Sequence, residues 1–341
     1  MTRHDVASHR RTARPRGGGD RRRSAIHRLY LRGPDAPRTA IAKRLKPRPA
    51  DDPGGDDSLQ LFISELSSLR FLSTLDSAGI APRLYGDDPT AHLLVMLDLG
   101  ERPSLADQLL ASDDDATVDA LAAYARGLAR LHGMSIRPVD KFRRIRAELG
   151  APADDALWLR DAGSVVDGIE ETLAAQGIPL DAPTRTELAD LRGRLTGGAS
   201  RPTFTHGDPR PDNNAITTGG DLVHFDFEFA RVRPAMIDAA YLTVPFPTCW
   251  CVNASPPEVR ARALRVYCDE LATWLPAAAA DNDWGISTWR QRLIYRLPLF
   301  VDLARRADAL PGLAEMAESL HRRLTGRWAD LAPMPTYPSL R

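Results

Sequence analysis

The sequence predicts an α+β fold of two lobes, a small strand-rich N-terminal lobe and a larger, mainly helical C-terminal lobe. Three observations carry this. Strand-like runs at 26–31, 39–45 and 93–97 share the first hundred residues with a single long helical pattern. Beyond residue 100 the apolar spacing changes to threes and fours over long stretches. Strand signals return only around 203–229.

Taken in order, residues 1–24 are rich in Arg, Gly and Ser and poor in large apolar side chains, which reads as an arm disordered at least in part. An Arg-rich nucleic-acid tail is the alternative reading of the same residues. Ile26–Leu31, the turn residues Gly33-Pro34-Asp35-Ala36-Pro37 and Thr39–Leu45 form a hairpin. An acidic loop, Asp51 to Asp57, leads to Ser58, which is suited to cap a helix. In that helix Leu59, Phe62, Leu66, Leu69 and Leu72 mark one apolar face, and Glu65 lies beside it. Gly79 and Pro82 end the unit, and the continuous apolar run Leu93–Leu97 suits a buried strand before the break at Asp98-Leu99-Gly100. Helical periodicity then covers 119–134, 156–173, 257–275 and 289–325.

Composition narrows the partners. The chain has 341 residues, ample for a sizeable core, and its 45 basic and 45 acidic residues cancel. Such a chain is not built as a whole to grip nucleic acid or an anionic membrane. No apolar run has bilayer length and the N-terminus lacks the apolar core of a secretory signal, so a cytoplasmic protein with no membrane partner is expected. Cys249, Cys251 and Cys268 are too few for a disulfide framework. Cys249-Trp250-Cys251 has no second pair to complete a zinc site, so buried thiols are expected there. Lysine is scarce: Lys43, Lys46 and Lys141 are the only candidates for chemistry that needs an ammonium. Oligomeric state leaves no signal in the sequence.

The chemistry concentrates between His206 and Glu228. A short strand ends in His206-Gly207-Asp208-Pro209-Arg210-Pro211-Asp212-Asn213. Ala215–Thr217, the turn Thr218-Gly219-Gly220-Asp221 and Leu222–Phe225 then form a tight hairpin that closes on Asp226-Phe227-Glu228. A hairpin brings its ends together, so Asn213 and Asp226 should sit side by side with Asp208 nearby. Phosphoryl transfer needs such a cluster, with a carboxylate to orient and deprotonate the attacking hydroxyl and hard oxygen donors for the Mg²⁺ on the nucleotide phosphates. An Asp and an Asn, without thiolate or paired imidazole, suit Mg²⁺ better than Zn²⁺.

His206-Gly207-Asp208 followed by Asn213 resembles the H-G-D-x-x-x-x-N loop of the aminoglycoside phosphotransferase and choline kinase-like family. Asp226-Phe227-Glu228 resembles that family's counterpart of the protein-kinase D-F-G site, and Pro234–Ala240, with Asp238, resembles its downstream stretch. The resemblance implies a bilobal protein-kinase-like fold, with Asp208 as catalytic base, Asn213 and Asp226 as magnesium ligands, and His206, Glu228 and Asp238 in support. It also implies a nucleotide-binding lobe over 25–100 and a catalytic and substrate-binding lobe over 101–341. Lys43 is then the strand lysine on the nucleotide phosphates, Glu65 its helix partner, and Met96, Leu97 and Leu99 part of a nucleotide-binding hinge near 96–100. His132, in an "ARLH"-type element, reads as structural.

Two departures stand out. Arg210 occupies a position where many relatives carry His, and no full G-x-G-x-x-G precedes the strands. Gly17, Gly18 and Gly19 are candidates for a loose phosphate loop or for linker. The expected activity is ATP- or GTP-dependent O-phosphotransfer to a hydroxyl of a small molecule, such as an aminoglycoside, another antibiotic, an amino sugar or a choline-like compound. A catalytically silent, kinase-shaped binding protein is the alternative. Acceptor contacts are sought beyond residue 240, at Glu270, Asp281, Asp283, Trp284 or Asp302.

Overall fold

The structure is a computed structural model, described here for residues 8–9, 24–34, 36–46, 55–75, 77, 79–111, 114–151, 174, 180–183, 185–186, 189, 202–242, 246, 249, 251 and 254–275. The first lobe is built on an antiparallel five-stranded sheet. Its strands are β1 (Ser8–His9), β2 (Ser24–Tyr30), β3 (Thr39–Leu45), β4 (Leu84–Asp88) and β5 (Leu93–Leu97), in the order β1-β2-β3-β5-β4. The expected hairpin is β2–β3, with Tyr30 opposite Thr39. Lys43 sits mid-sheet, opposite Ile26 on one side and Leu94 on the other.

Helix α1 (Gly55–Leu72) follows β3. Phe62, Leu66, Leu69 and Leu72 are buried as the spacing predicts, and Leu59 packs at the margin of the core. The cap expectation at Ser58 is corrected. The helix starts three residues before Ser58, which lies inside it and is buried. In β5 only Leu94 is fully buried, because one face meets the core while the other stays partly open. Strand β4 escaped the sequence because Gly86, Asp87 and Asp88 are poor strand formers.

The second lobe contains α2 (Leu105–Leu109), α3 (Asp114–Ser135), α4 (Val139–Glu148), β6 (Pro202–Thr205), β7 (Asn214–Ile216), β8 (Leu222–His224), β9 (Arg231–Pro234), α5 (Met236–Ala239) and α6 (Pro257–Trp274). Strands β6 and β9 pair, as do β7 and β8. Helices α3 and α6 pack together, with Arg130 on Glu270 at 3.1 Å and Trp274 against Gly133, where a Cβ would overlap the indole. The helices expected at 156–173 and 289–325 lie outside the described residues. Among the described residues no helix is long and apolar enough to cross a membrane.

Two features join the lobes. Phe71 of α1, Phe142 of α4, Phe204 of β6 and Phe227 form a buried ring cluster with centroids 4.9–5.9 Å apart. Beside it, the buried Ser64 hydroxyl of α1 accepts from Arg146 Nη1 at 2.8 Å and from Arg231 Nη1, while donating to the Gln60 carbonyl at 2.9 Å. One hydroxyl thus satisfies groups from α1, α4 and β9. Ser64→Ala leaves two guanidinium groups short of an acceptor, and a loss of about 1–3 kcal/mol is expected from urea unfolding. An unchanged midpoint would show that the clamp contributes nothing.

A buried polar seam runs under β6–β9. His132 Nδ1 meets the Tyr267 hydroxyl at 2.8 Å. His224 is fully buried, edge-on to Tyr124 and His206, and among the described residues its ring nitrogens meet no hydrogen-bond partner. Burial, then the charges of His206 and His132, lower His224 to about 3 from an ordinary 6.5. A neutral imidazole is therefore favoured in the fold, and the unfolded chain takes up the proton first. Stability present above pH 6.5 should be lost as pH falls toward 3. Unfolding of the wild type at pH 7 and pH 5 should differ by roughly 2 kcal/mol on this account, and His224→Phe should shrink the difference by about half or more. Equal differences in both proteins would refute this cause of acid sensitivity.

Candidate active site

The β7–β8 hairpin does what its sequence predicts. Asn214 pairs with His224 and Ile216 with Leu222, and the Phe225 amide donates to the Asn213 carbonyl at 3.1 Å. The open end therefore sets Asn213 beside the start of Asp226-Phe227-Glu228. Asp226 adopts φ 66°, ψ 57°, the left-handed region. For a residue with a Cβ this costs roughly 1–2 kcal/mol. Phe227, fully buried in the ring cluster, anchors the turn that imposes it.

The loop before the hairpin carries Asp208. Asn213 Nδ2 donates to the Asp208 carbonyl at 2.9 Å and to its Oδ2 at 3.3 Å. The amide oxygen of Asn213 is thereby turned away from Asp208. Gly207 has φ +86°, and a Cβ there would fall on the Phe229 carbonyl, so both backbone and space demand glycine. Asp238, on α5 and fully buried, accepts from the amides of His206 at 2.6 Å and Gly207 at 3.2 Å. Burial opposes its charge, but the hydrogen bond and charge of His132, with Arg233 and His206, hold it down at about 2. The buried His206 ring donates from Nε2 to the Phe225 carbonyl at 3.0 Å and receives the Asp208 amide on Nδ1 at 3.4 Å. Burial lowers its pKa, in keeping with the neutral tautomer these bonds require. The hydroxyl of buried Tyr124 donates to the Pro209 carbonyl. The loop is thus held from beneath on several sides.

Lys43 meets this loop from the other lobe. Its Nζ lies 2.6 Å from Glu65 Oε2 and 2.6 Å from Asp226 Oδ1. Burial opposes the ammonium, yet Glu65 and then Asp226 raise its pKa above the ordinary lysine range. Burial pushes Glu65 up to about 7 against the pull of Lys43, with Asp226 and Glu228 adding repulsion. The structure therefore brings Lys43, Glu65 and Asp226 into contact and sets Asp208 and Asn213 beside them through the hairpin. Glu228 follows in the 3-10 turn, partly exposed.

Met96 and Leu97 close β5 opposite Ile41 and Ala40, and Leu99 lies in the link to α2. The Leu97 amide donates to the Arg83 carbonyl at 2.8 Å. Asp98 is held by Arg28 at 2.5 Å, which fixes the link to β2. Burial would raise Asp98, but Arg28 and the Gly100 amide lower it. Cys249 and Cys251 are buried with sulfurs 3.1 Å apart, and no group of three or more His, Cys, Asp or Glu able to hold a metal is found among the described residues. Gly17–Gly19, Asp281, Asp283, Trp284 and Asp302 lie outside the described residues. The sequence reading missed Tyr124, His224, Arg146 and Arg233. Only helical spacing or a lone polar residue marked them, and neither signal separates a loop support from any other core position.

No curated protein matches the chain. Solved structures do. The ADP-bound aminoglycoside phosphotransferase APH(2'')-Ib shares 13% identity, with 89% of this chain and 91% of that one covered, at a TM-score of 0.51. The streptomycin–ATP ternary complex of APH(2'')-IIa gives 14%, 94%, 93% and 0.51. Choline kinase from Cryptosporidium parvum Iowa II gives 14%, 94%, 88% and 0.52. Identities this low speak for the fold, which is bilobal and kinase-like. The match to the phosphotransferase enzyme family (APH) spans residues 21–280 and covers the whole constellation from Lys43 to Asp238, so the chain belongs to that family.

Proposed function

We propose that this protein transfers the terminal phosphoryl group of ATP or GTP to a hydroxyl of a small molecule. The observation that carries the reading is the convergence of Lys43, Glu65 and Asp226 with Asp208 and Asn213 at the open end of one hairpin. Asp208 would orient the acceptor hydroxyl and take its proton as the new oxygen–phosphorus bond forms and the bond to the leaving diphosphate breaks. Lys43, aimed by Glu65, would supply a point charge to the phosphate oxygens. Asn213 and Asp226 would hold Mg²⁺, since both offer hard oxygens and the Asn213 oxygen is turned away from Asp208. Bound there, the ion would neutralise phosphate charge. Adenine or guanine would lie along the 96–100 link, where the Leu97 amide is already engaged with Arg83 and other backbone groups must read the base. The solved relatives include an ADP-bound and a streptomycin–ATP-bound aminoglycoside phosphotransferase and a choline kinase, which sets the first acceptors to try.

The test is release of ADP or GDP with a panel of aminoglycosides, macrolides, choline and ethanolamine. Asp208→Asn should lower kcat about 10²–10⁴-fold while Mg²⁺-nucleotide binding stays within about threefold. Asp226→Asn should weaken that Mg²⁺-dependent binding itself. Wild-type turnover by Asp208→Asn would end the assignment.

A further inference from the structure

Arg210 stands two residues after Asp208, and its side chain folds back over the loop. Its Nε is 3.5 Å from Asp208 Oδ2 and 3.0 Å from Asp212 Oδ1, and its Nη2 donates to Asp212 Oδ2 at 3.1 Å. The backbone is built in as well. The Arg210 amide donates to the Asp208 carbonyl at 2.7 Å, and its own carbonyl accepts from the Asn213 amide at 2.9 Å and Asn214 Nδ2 at 3.3 Å. The side chain is two-thirds buried and therefore little free to swing. A cation held in this way acts on one particular oxygen. Asp208 Oδ2 is also the oxygen that Asn213 Nδ2 approaches at 3.3 Å, so an amide donor and a cation address the same atom.

Resting on the reading of Asp208 as base, we propose that Arg210 and Asp212 form a positioning pair for the transfer step. Asp212 fixes the guanidinium. Arg210 and Asn213 together hold Oδ2 of Asp208 in one orientation, so the acceptor hydroxyl always meets the opposite oxygen, Oδ1. Arg210 acts through Asp208 and not on the nucleotide. Preorganisation of this kind matters because a carboxylate free to rotate about its last bond presents the wrong geometry for much of the time, and misplacement by about 1 Å can lower a rate about 10²-fold.

The test compares Arg210→Gln, Arg210→Lys, Asp212→Asn and the double variant Arg210→Gln/Asp212→Asn in full-length protein. ADP release is followed with the best acceptor of the panel, or with water as acceptor if none is taken. Arg210→Gln should lower kcat about 10- to 100-fold with the nucleotide KM within about threefold. Arg210→Lys keeps the charge and should recover part of that loss. Asp212→Asn should lower kcat less, and the double variant should be no slower than Arg210→Gln, since Asp212 works only through the arginine. Wild-type kcat in Arg210→Gln, a loss confined to nucleotide KM, or additive effects in the double variant would each overturn the proposal. Asp208→Asn in the same assay separates the two failures. If it is inactive while Arg210→Gln is unimpaired, only this inference falls. If it is active, the functional reading falls with it.

Discussion

A single ammonium ties a strand and a helix of the first lobe to the metal-site candidate Asp226 of the second. Lys43 lies between Glu65 and Asp226, 2.6 Å from each, with α1 on one side and the turn after β8 on the other. The triad sets one ammonium between two carboxyl groups, with Lys43 and Glu65 buried and Asp226 35% exposed. Removing Lys43 would leave two carboxyl groups facing one another with no cation between them, which is far more damaging than the pairing is favourable.

Such a triad requires three elements to arrive in register. Strand pairing sets Lys43, through partners on β2 and β5. Glu65 depends on where α1 lies, and α1 is fixed by the four phenylalanines and by Ser64 between Arg146 and Arg231. Asp226 depends on a left-handed backbone held by the burial of Phe227. The same ring cluster thus supports two of the three members. Below them, Asp238 gathers the amides of His206 and Gly207, and burial disfavours the charged forms of the His206 and His224 imidazoles. The loop bearing Asp208 is therefore held on its inner side, while the Asp208 side chain stays partly exposed.

Legibility in the sequence followed the range of the interaction. The hairpin at 214–224 and the apolar stripe of α1 were readable because turn residues and spacing act within a few positions. Lys43, Glu65, Asp208, Asn213 and Asp226 stood out through residue type, local pattern and family resemblance. Ser58 misled because the helix begins at Gly55 and takes this good capping residue into its interior. Strand β4 was invisible because its residues are poor strand formers, and only β5 beside it makes them a strand. Arg146, Tyr124 and His224 gave no warning, since nothing local distinguishes a buried arginine or histidine from a surface one.

By itself the sequence determined the strand-rich first lobe and helical second lobe, the tight hairpin and the residue types able to carry phosphoryl transfer, because each is encoded by periodicity, turn chemistry and side-chain identity. Only the tertiary structure decided that Lys43 bridges residues 22 and 183 positions away, that Asp238 underpins the loop through its amides, and that Arg210 folds onto Asp208. Those facts depend on how elements pack, and packing is settled by the shared burial of side chains far apart in the chain.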